Sequence, residues 1–259
     1  MTRLVRLQKL VSGAVPVALL GFVWWYVTTH GMVSSLVLPS PAAVRDALLD
    51  IRDGYLGVPV YQHVTASLSV MLSGYFAAVV IGIPLGMAMA RFPLLDRVFG
   101  PLIAVLRPIP PPAWIPLVIL WFGIGLAGKA FIVFIAAVVP CIFNGYLAVK
   151  ETPEGLISAA RSLGASEWTV LSEVILPSGL PVILTGMRIA LGTAWATIVA
   201  AELVVSLAGF GFLIMSGYRN LESNIVLVGM IAVAVTGFLM NAVFLAVERY
   251  ALPWRDNDV

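Results

Sequence analysis

Along the chain, long apolar runs alternate with short polar breaks, and six runs are long enough to cross a hydrocarbon core of about 30 Å. They cover roughly residues 11–29, 65–90, 101–124, 128–149, 182–205 and 224–247. The third is interrupted by Pro108, Pro110, Pro111 and Pro112, so a kink or unwound segment shielded by neighbouring helices is expected there. Between the fourth and fifth runs, the polar stretch 151–181 reads as two short amphipathic helices. Thr152 is placed to cap the first, Pro153 to open it and Glu154 to favour its first turn. Leu156, Ile157, Ala160 and Leu163 share one stripe, and Gly164 supplies the stop. The second is expected from Ser166, with Trp168, Leu171 and Ile175 on its apolar side, ending before Pro177. Such a pair set between membrane spans has the form of a docking surface.

On the opposite side of the membrane, residues 40–53 predict a short helix lying along the surface. Ser40 caps it, Pro41 opens it, and Val44, Leu48 and Ile51 line one side. Residues 206–223 predict a tight turn around Gly209 and Gly211, then a partly inserted helix. A gate over a path would have this form, and so would a re-entrant packing element; the sequence leaves both open.

Composition agrees with this pattern. Hydrophobic residues make up 61% of the 259 and charged residues 11%, against about 25% in soluble domains, so the chain is a single integral membrane domain, all-α and polytopic. A net charge of +2 gives no reason to expect nucleic acid; where the charges lie is more informative. With the N-terminus inside, Arg3, Arg6, Lys9, Arg91, Arg97, Lys150, Arg161, Arg249 and Arg255 all fall on the cytoplasmic side. Only Arg45, Arg52, Lys129 and Arg219 fall outside, which satisfies the positive-inside rule and puts 151–181 and both termini in the cytoplasm. The basic start resembles a signal peptide, but Trp24, Trp25 and Tyr26 leave no small-residue cleavage site, and a retained first span is expected.

Candidate chemistry is sparse. The chain has no glycine-rich phosphate loop ending in Lys-Ser/Thr and no His-Glu zinc pattern. His30 and His63 sit at span borders, where capping or solvation is expected, and the lone Cys141 reads as a packing residue. Energy for any transport must come from a partner or an ion gradient. The fifth run is rich in small residues: Gly186, Ala190 and Ala194 form one stripe, and Thr193, Thr197 and Ala201 another. Thr193, Trp195 and Thr197 are its polar or aromatic groups able to face a translocation path, and close packing with no pore role is the equal alternative. Glu202 is a further candidate for the path and is also placed to bond the Gly209–Gly211 turn. Arg107 and Arg188, about two turns from cytoplasmic ends, are within snorkelling reach of the surface.

The 151–181 stretch carries a pattern. Ala159, Ala160, Gly164, Val174, Leu176 and Pro177 match the spacing of the cytoplasmic loop motif E-A-A-x3-G-x9-I-x-L-P of ABC-importer permeases. Ser158 stands where the motif has glutamate, and Val174 where it has isoleucine. Further similar stretches are LPSP at 38–41, QHVTASL at 62–68, GIPLGMAMA at 82–90, RPIPPPAWIPLVILWFGIG at 107–125, ILTGMRIALGTAWATIVAAEL at 183–203, GFGFLI at 209–214 and LPW at 252–254. Together the chain resembles permeases of the nitrate/sulfonate/taurine ABC importers, and within them the taurine branch. That resemblance implies a six-span type I importer fold in the bacterial inner membrane, working as a homodimer. Two ATP-binding subunits would bind ATP and Mg, leaving this chain without a cofactor, and a separate extracytoplasmic protein would deliver the solute. The coupling residues it implies are Glu154, Leu156, Ile157, Ser158, Ala159, Ala160, Leu163, Gly164, Leu176 and Pro177. Within this fold the solute could instead be nitrate, another alkanesulfonate or an aromatic acid. A gradient-driven carrier, from a different class, would need a coupling carboxylate deep in a span.

Overall fold

The computed structural model describes residues 3–253, with side chains from residue 15 onward. Its helices are α1 (Arg3–Thr29), α2 (Pro41–Asp50), α3 (Val60–Arg91), α4 (Pro93–Leu106), α5 (Ile115–Phe122), α6 (Leu126–Lys150), α7 (Glu154–Ser162), α8 (Glu167–Thr169), α9 (Leu176–Val204), α10 (Phe210–Arg219) and α11 (Ser223–Ala251). Among the described residues four helical stretches are long and apolar enough to cross a membrane: α3, α6, Glu167–Val204 and α11. The bent pair α4–α5 makes a fifth if it counts as one span, and the described apolar part of α1, Val15–Thr29, is shorter. Among the described residues, four or five of the six expected crossings are thus seen. The kink expected in the third span is a 90° break over the Arg107–Pro110 stretch, where consecutive prolines remove backbone donors and push their predecessors out of the helical region.

Contact between α3, α6 and α9 builds the core, and small residues set how closely they approach. A methyl added at Gly74 would lie 2.4 Å from the Ala130 carbonyl oxygen, and one at Gly86 would lie 2.0 Å from that of Ile142. From the other side, one at Gly145 would lie 2.5 Å from the Ile83 oxygen. These backbones touch, as small-residue helix pairs do in lipid. Both sets of numbers rise together, so α3 and α6 run parallel, and the bent α4–α5 segment has to carry the chain back between them. Gly179 against Ala148, and Gly186 against Asn144, set α9 antiparallel to α6. Around the contact Val70, Met71, Tyr75, Val133, Ala137, Cys141, Ala190, Ala194, Ile198 and Phe210 are buried.

Local expectations are met in part. Ser40 accepts from the Ala43 amide and Pro41 opens α2, while Val44 and Ile51 are buried with Ala47 against α11; Leu48 points outward. Ser166 caps its helix by accepting from the Thr169 amide, and Gly164 takes a left-handed φ of +85°. Thr152, expected as a cap, instead donates to the Ala148 carbonyl of α6, and Pro153 takes the cap position. The second helix of the loop does not stop ahead of Pro177 but continues from Glu167 to Val204. A π-helical turn over Val170–Ile175 runs directly into α9. This widened turn lies just ahead of Pro177, a residue with no N–H to return to it.

Candidate functional site

At the end of the bundle where α3 and α6 finish, α7 and α8 stand apart from the core. Helix α7 packs chiefly on the π-helical turn, with Ile157 and Ala160 half-buried on that side. Its other apolar side chains face outward: Leu163 is 89% exposed, Leu156 50%, and Trp168 beyond the Gly164 turn 75%. Ser158 and Ala159 are exposed beside them, as are Glu154, Leu176 and Pro177. The structure thus divides the predicted stripe, turning Ala160 inward and leaving Leu156 and Leu163 as the open face. Trp168, expected on the apolar side with Ile175, is turned to the outside while Ile175 is buried. One carboxylate ties the unit to the bundle: Glu167 accepts from Arg161 on α7 and from Arg91 at the end of α3. These ion pairs are exposed, so they orient the unit more than they stabilise it.

The opposite end holds a buried polar cluster. Glu202 is 2% exposed; Ser67 donates to its oxygens at 2.8 and 2.9 Å, and the Gly211 amide donates at 3.0 Å. Ser67 in turn accepts from the Phe210 amide at 3.1 Å, and Nδ1 of His63 lies 3.0 Å from the Gly209 carbonyl oxygen and 3.1 Å from its amide nitrogen. The first amides of α10 are therefore satisfied by side chains from α3 and α9, as helix starts require. Nε2 of His63 is enclosed without a hydrogen-bond partner among the described residues. Glycine is required at 209, where φ is +121° and a methyl would fall 2.4 Å from the Glu202 carboxyl. Nearby, Lys129 donates to Ser206 at 3.1 Å. In the loops beyond, Tyr55 donates to Glu222 and accepts from Asn220, and burial together with the Glu222 carboxylate raises its phenol above the ordinary value.

Helix α9 separates the residues predicted for a path. Trp195 is buried, donates to the Val233 carbonyl at 3.2 Å and packs edge-on to Phe210 at 5.8 Å; Thr197 is buried as well. Thr193 is half-buried and returns its hydroxyl to the Ala190 carbonyl at 3.0 Å. With Glu202 enclosed too, the open side of α9 is instead Thr185, Arg188, Ile189, Gly192 and Ala196. The stripe Gly186, Ala190 and Ala194 is consumed by packing inside the chain. Arg188 is tied to α11, donating to Asn241 at 3.0 Å.

The Glu202 contact with the 209–211 turn was legible in the sequence, and His63 at the start of α10 fits the capping expected of it; Ser67 and the joining of all three were not. The available signal was the spacing of His63 and Ser67: two polar groups four apart on an apolar helix share a face. Among the described residues no group of His, Cys, Asp and Glu could hold a metal ion.

Comparison with known proteins covers most of the chain. Residues 82–254 match the family described as binding-protein-dependent transport system inner membrane component. The chain is 41% identical over 239 residues to the taurine transport system permease protein TauC of Escherichia coli (strain K12), covering 92% of this chain and 87% of that one. It is 31% identical over 235 residues to the putative aliphatic sulfonates transport permease protein SsuC of Bacillus subtilis (strain 168), covering 91% and 84%. Inward-facing structures of the MetNI methionine ABC transporter share the fold, with a TM-score of 0.66 at 22% identity over 74% of this chain and 95% of that one.

Proposed function

The chain belongs to the binding-protein-dependent transport system inner membrane components, and from that premise we propose that it forms the translocation path of an ATP-driven importer for a small sulfonate such as taurine. The observation that carries the ATP-driven part is the α7–α8 unit. It stands clear of the bundle with Leu156, Leu163 and Trp168 uncovered, and its backbone is shaped by the left-handed Gly164. An apolar face held on a short, oriented helix beside Arg91 and Arg161 suits insertion into a groove of a cytoplasmic ATP-binding subunit. Closure of an ATPase dimer, which would bind the ATP and Mg, would then move α9 through the continuous helix that begins at Glu167, as a rigid-body switch between two packed states. This orientation puts both termini in the cytoplasm and the α2 and α10 loops outside, where a substrate-binding protein would dock. The uncovered stripe of α9 supports a homodimer that meets along it. The sulfonate assignment rests on the 41% identity to a taurine permease over 92% of the chain.

Reconstitution of this permease with its ATP-binding and solute-binding partners tests the reading. ATP hydrolysis is expected only with the ATP-binding subunit present, and taurine should outcompete nitrate and aromatic carboxylates for uptake. Preferred uptake of nitrate or an aromatic acid would overturn the sulfonate assignment and leave the importer assignment standing. Hydrolysis by the pure permease would overturn the division of labour.

A further inference from the structure

A cavity of about 520 Å³ opens between α4, α6 and α9, within the range of about 300–1,000 Å³ usual for small-molecule sites. One wall is a single stripe of α4, on which Asp96, Gly100, Ala104 and Arg107 recur at helical spacing. The facing wall is α6, with Phe143 and Asn144. No carboxylate lies within ion-pair distance of the Arg107 guanidinium among the described residues. It lies instead over the Phe143 ring, 5.6 Å from the centroid. A ring makes no ion pair with a guanidinium, so the N–H fork stays available for an oxyanion. Asn144 is a fixed neighbour: it is buried, donates to the Pro140 carbonyl at 2.9 Å, and is wedged against Gly186, where a methyl would come within 2.3 Å of it. Asp96 folds back along α4 toward Gly100, about 16 Å of helix from Arg107. The cavity is thus polarised, attracting an anion at one end and repelling it at the other. Phe143 lies seven residues before Lys150, about 10 Å inside that end of the bundle.

We propose that this cavity holds the anionic group of the transported solute in the cytoplasmic half of the path, with Arg107 as the charge that receives it. The assignment rests on the reading of the chain as an importer permease for a small sulfonate, and it adds the place where this chain itself binds the solute's anionic group.

Two experiments test it, one of them independent of transport. In the purified full complex, Ala104→Cys is reacted with 2-sulfonatoethyl methanethiosulfonate, which carries the 2-sulfonatoethyl group of taurine, and with its trimethylammonium counterpart. Cys141 is fully buried, and the parent chain serves as the silent control. The anionic-to-cationic rate ratio should fall at least tenfold when Arg107→Gln is added, and recover with Arg107→Lys. An unchanged ratio overturns the site. In proteoliposomes, Arg107→Gln and Gly100→Leu should each lower taurine uptake at least tenfold, while hydrolysis stimulated by the loaded binding protein persists. Arg107 is exposed, and the nearest atom to a methyl at Gly100 is 3.6 Å away, so neither position lies in a closely packed helix contact. Wild-type uptake of taurine with wild-type uptake in both variants overturns the site alone. Absence of taurine uptake by the wild type overturns the sulfonate reading, and the reagent ratio still decides the site.

Discussion

One added methyl tests how closely α3 and α6 approach. At Gly86 it would fall 2.0 Å from a backbone oxygen that cannot swing away, so Gly86→Val must separate the two helices. Overpacking of this kind costs about 1–3 kcal/mol or more. The expected outcome is a clear loss of monodisperse protein on detergent extraction and a melting temperature lowered by several degrees. Gly192→Ala is the matched control, since nothing lies within 4 Å of a methyl there, and it should be neutral. Glu202 gives a second test. Its two oxygens accept from Ser67 and from the Gly211 amide, so a glutamine would turn an amide N–H₂ toward one of these donors. A buried donor left unsatisfied costs about 1–3 kcal/mol. Glu202→Gln should therefore lower stability and raise hydrogen exchange selectively over residues 206–219. Uniform exchange across the chain would show that the cluster does not hold the start of α10.

The α7–α8 unit stands apart from the core, so the proposed docking on it can be tested without disturbing the fold. Gly164 lies in open space, so Gly164→Val meets no clash and costs only the strain of a left-handed backbone, about 1 kcal/mol or more. Leu163 is a cleaner probe of docking than Ala160. Ala160 is half-buried against the π-helical turn, and an aspartate there would disturb the unit itself. Leu163→Asp changes only an exposed side chain. It should leave expression and melting temperature unaltered and reduce co-purification of the ATP-binding subunit at least tenfold. Undiminished association in Leu163→Asp would remove α7 as the coupling surface.

Across the whole molecule, the uncovered side of α9 is the face on which the proposed homodimer or path would lie. Thr185, Ile189, Gly192 and Ala196 present a shallow surface next to the Arg107 cavity. A single cysteine at Gly192 or Ala196 is expected to crosslink between copies or to react with a pore-accessible reagent, with yields that change with nucleotide. A cysteine at Thr197, which is buried, should stay silent. Reactivity at Thr197 with silence at Gly192 and Ala196 would reverse the assignment of faces.

The linear order of residues determined the helical class, the spans of α3, α6, α9 and α11, the caps at Ser40 and Ser166, and the Gly164 turn. Each of these depends on a run of apolar residues or on a local backbone preference, which neighbours in sequence settle among themselves. It also exposed the resemblance, because Ala159, Ala160, Gly164, Leu176 and Pro177 lie within one loop. Only the tertiary structure decided that α3 and α6 touch through Gly74, Gly86 and Gly145, since a glycine in a span does not announce the backbone it will meet. It decided as well that Trp195, Thr197 and Glu202 face inward, because small residues line more than one side of α9 and periodicity cannot rank those sides. The His63–Ser67–Glu202 cluster and the Arg107 cavity are formed by groups that are far apart in sequence. A hydrogen bond or a charge acts over a few ångströms, and only packing brings such groups within that range.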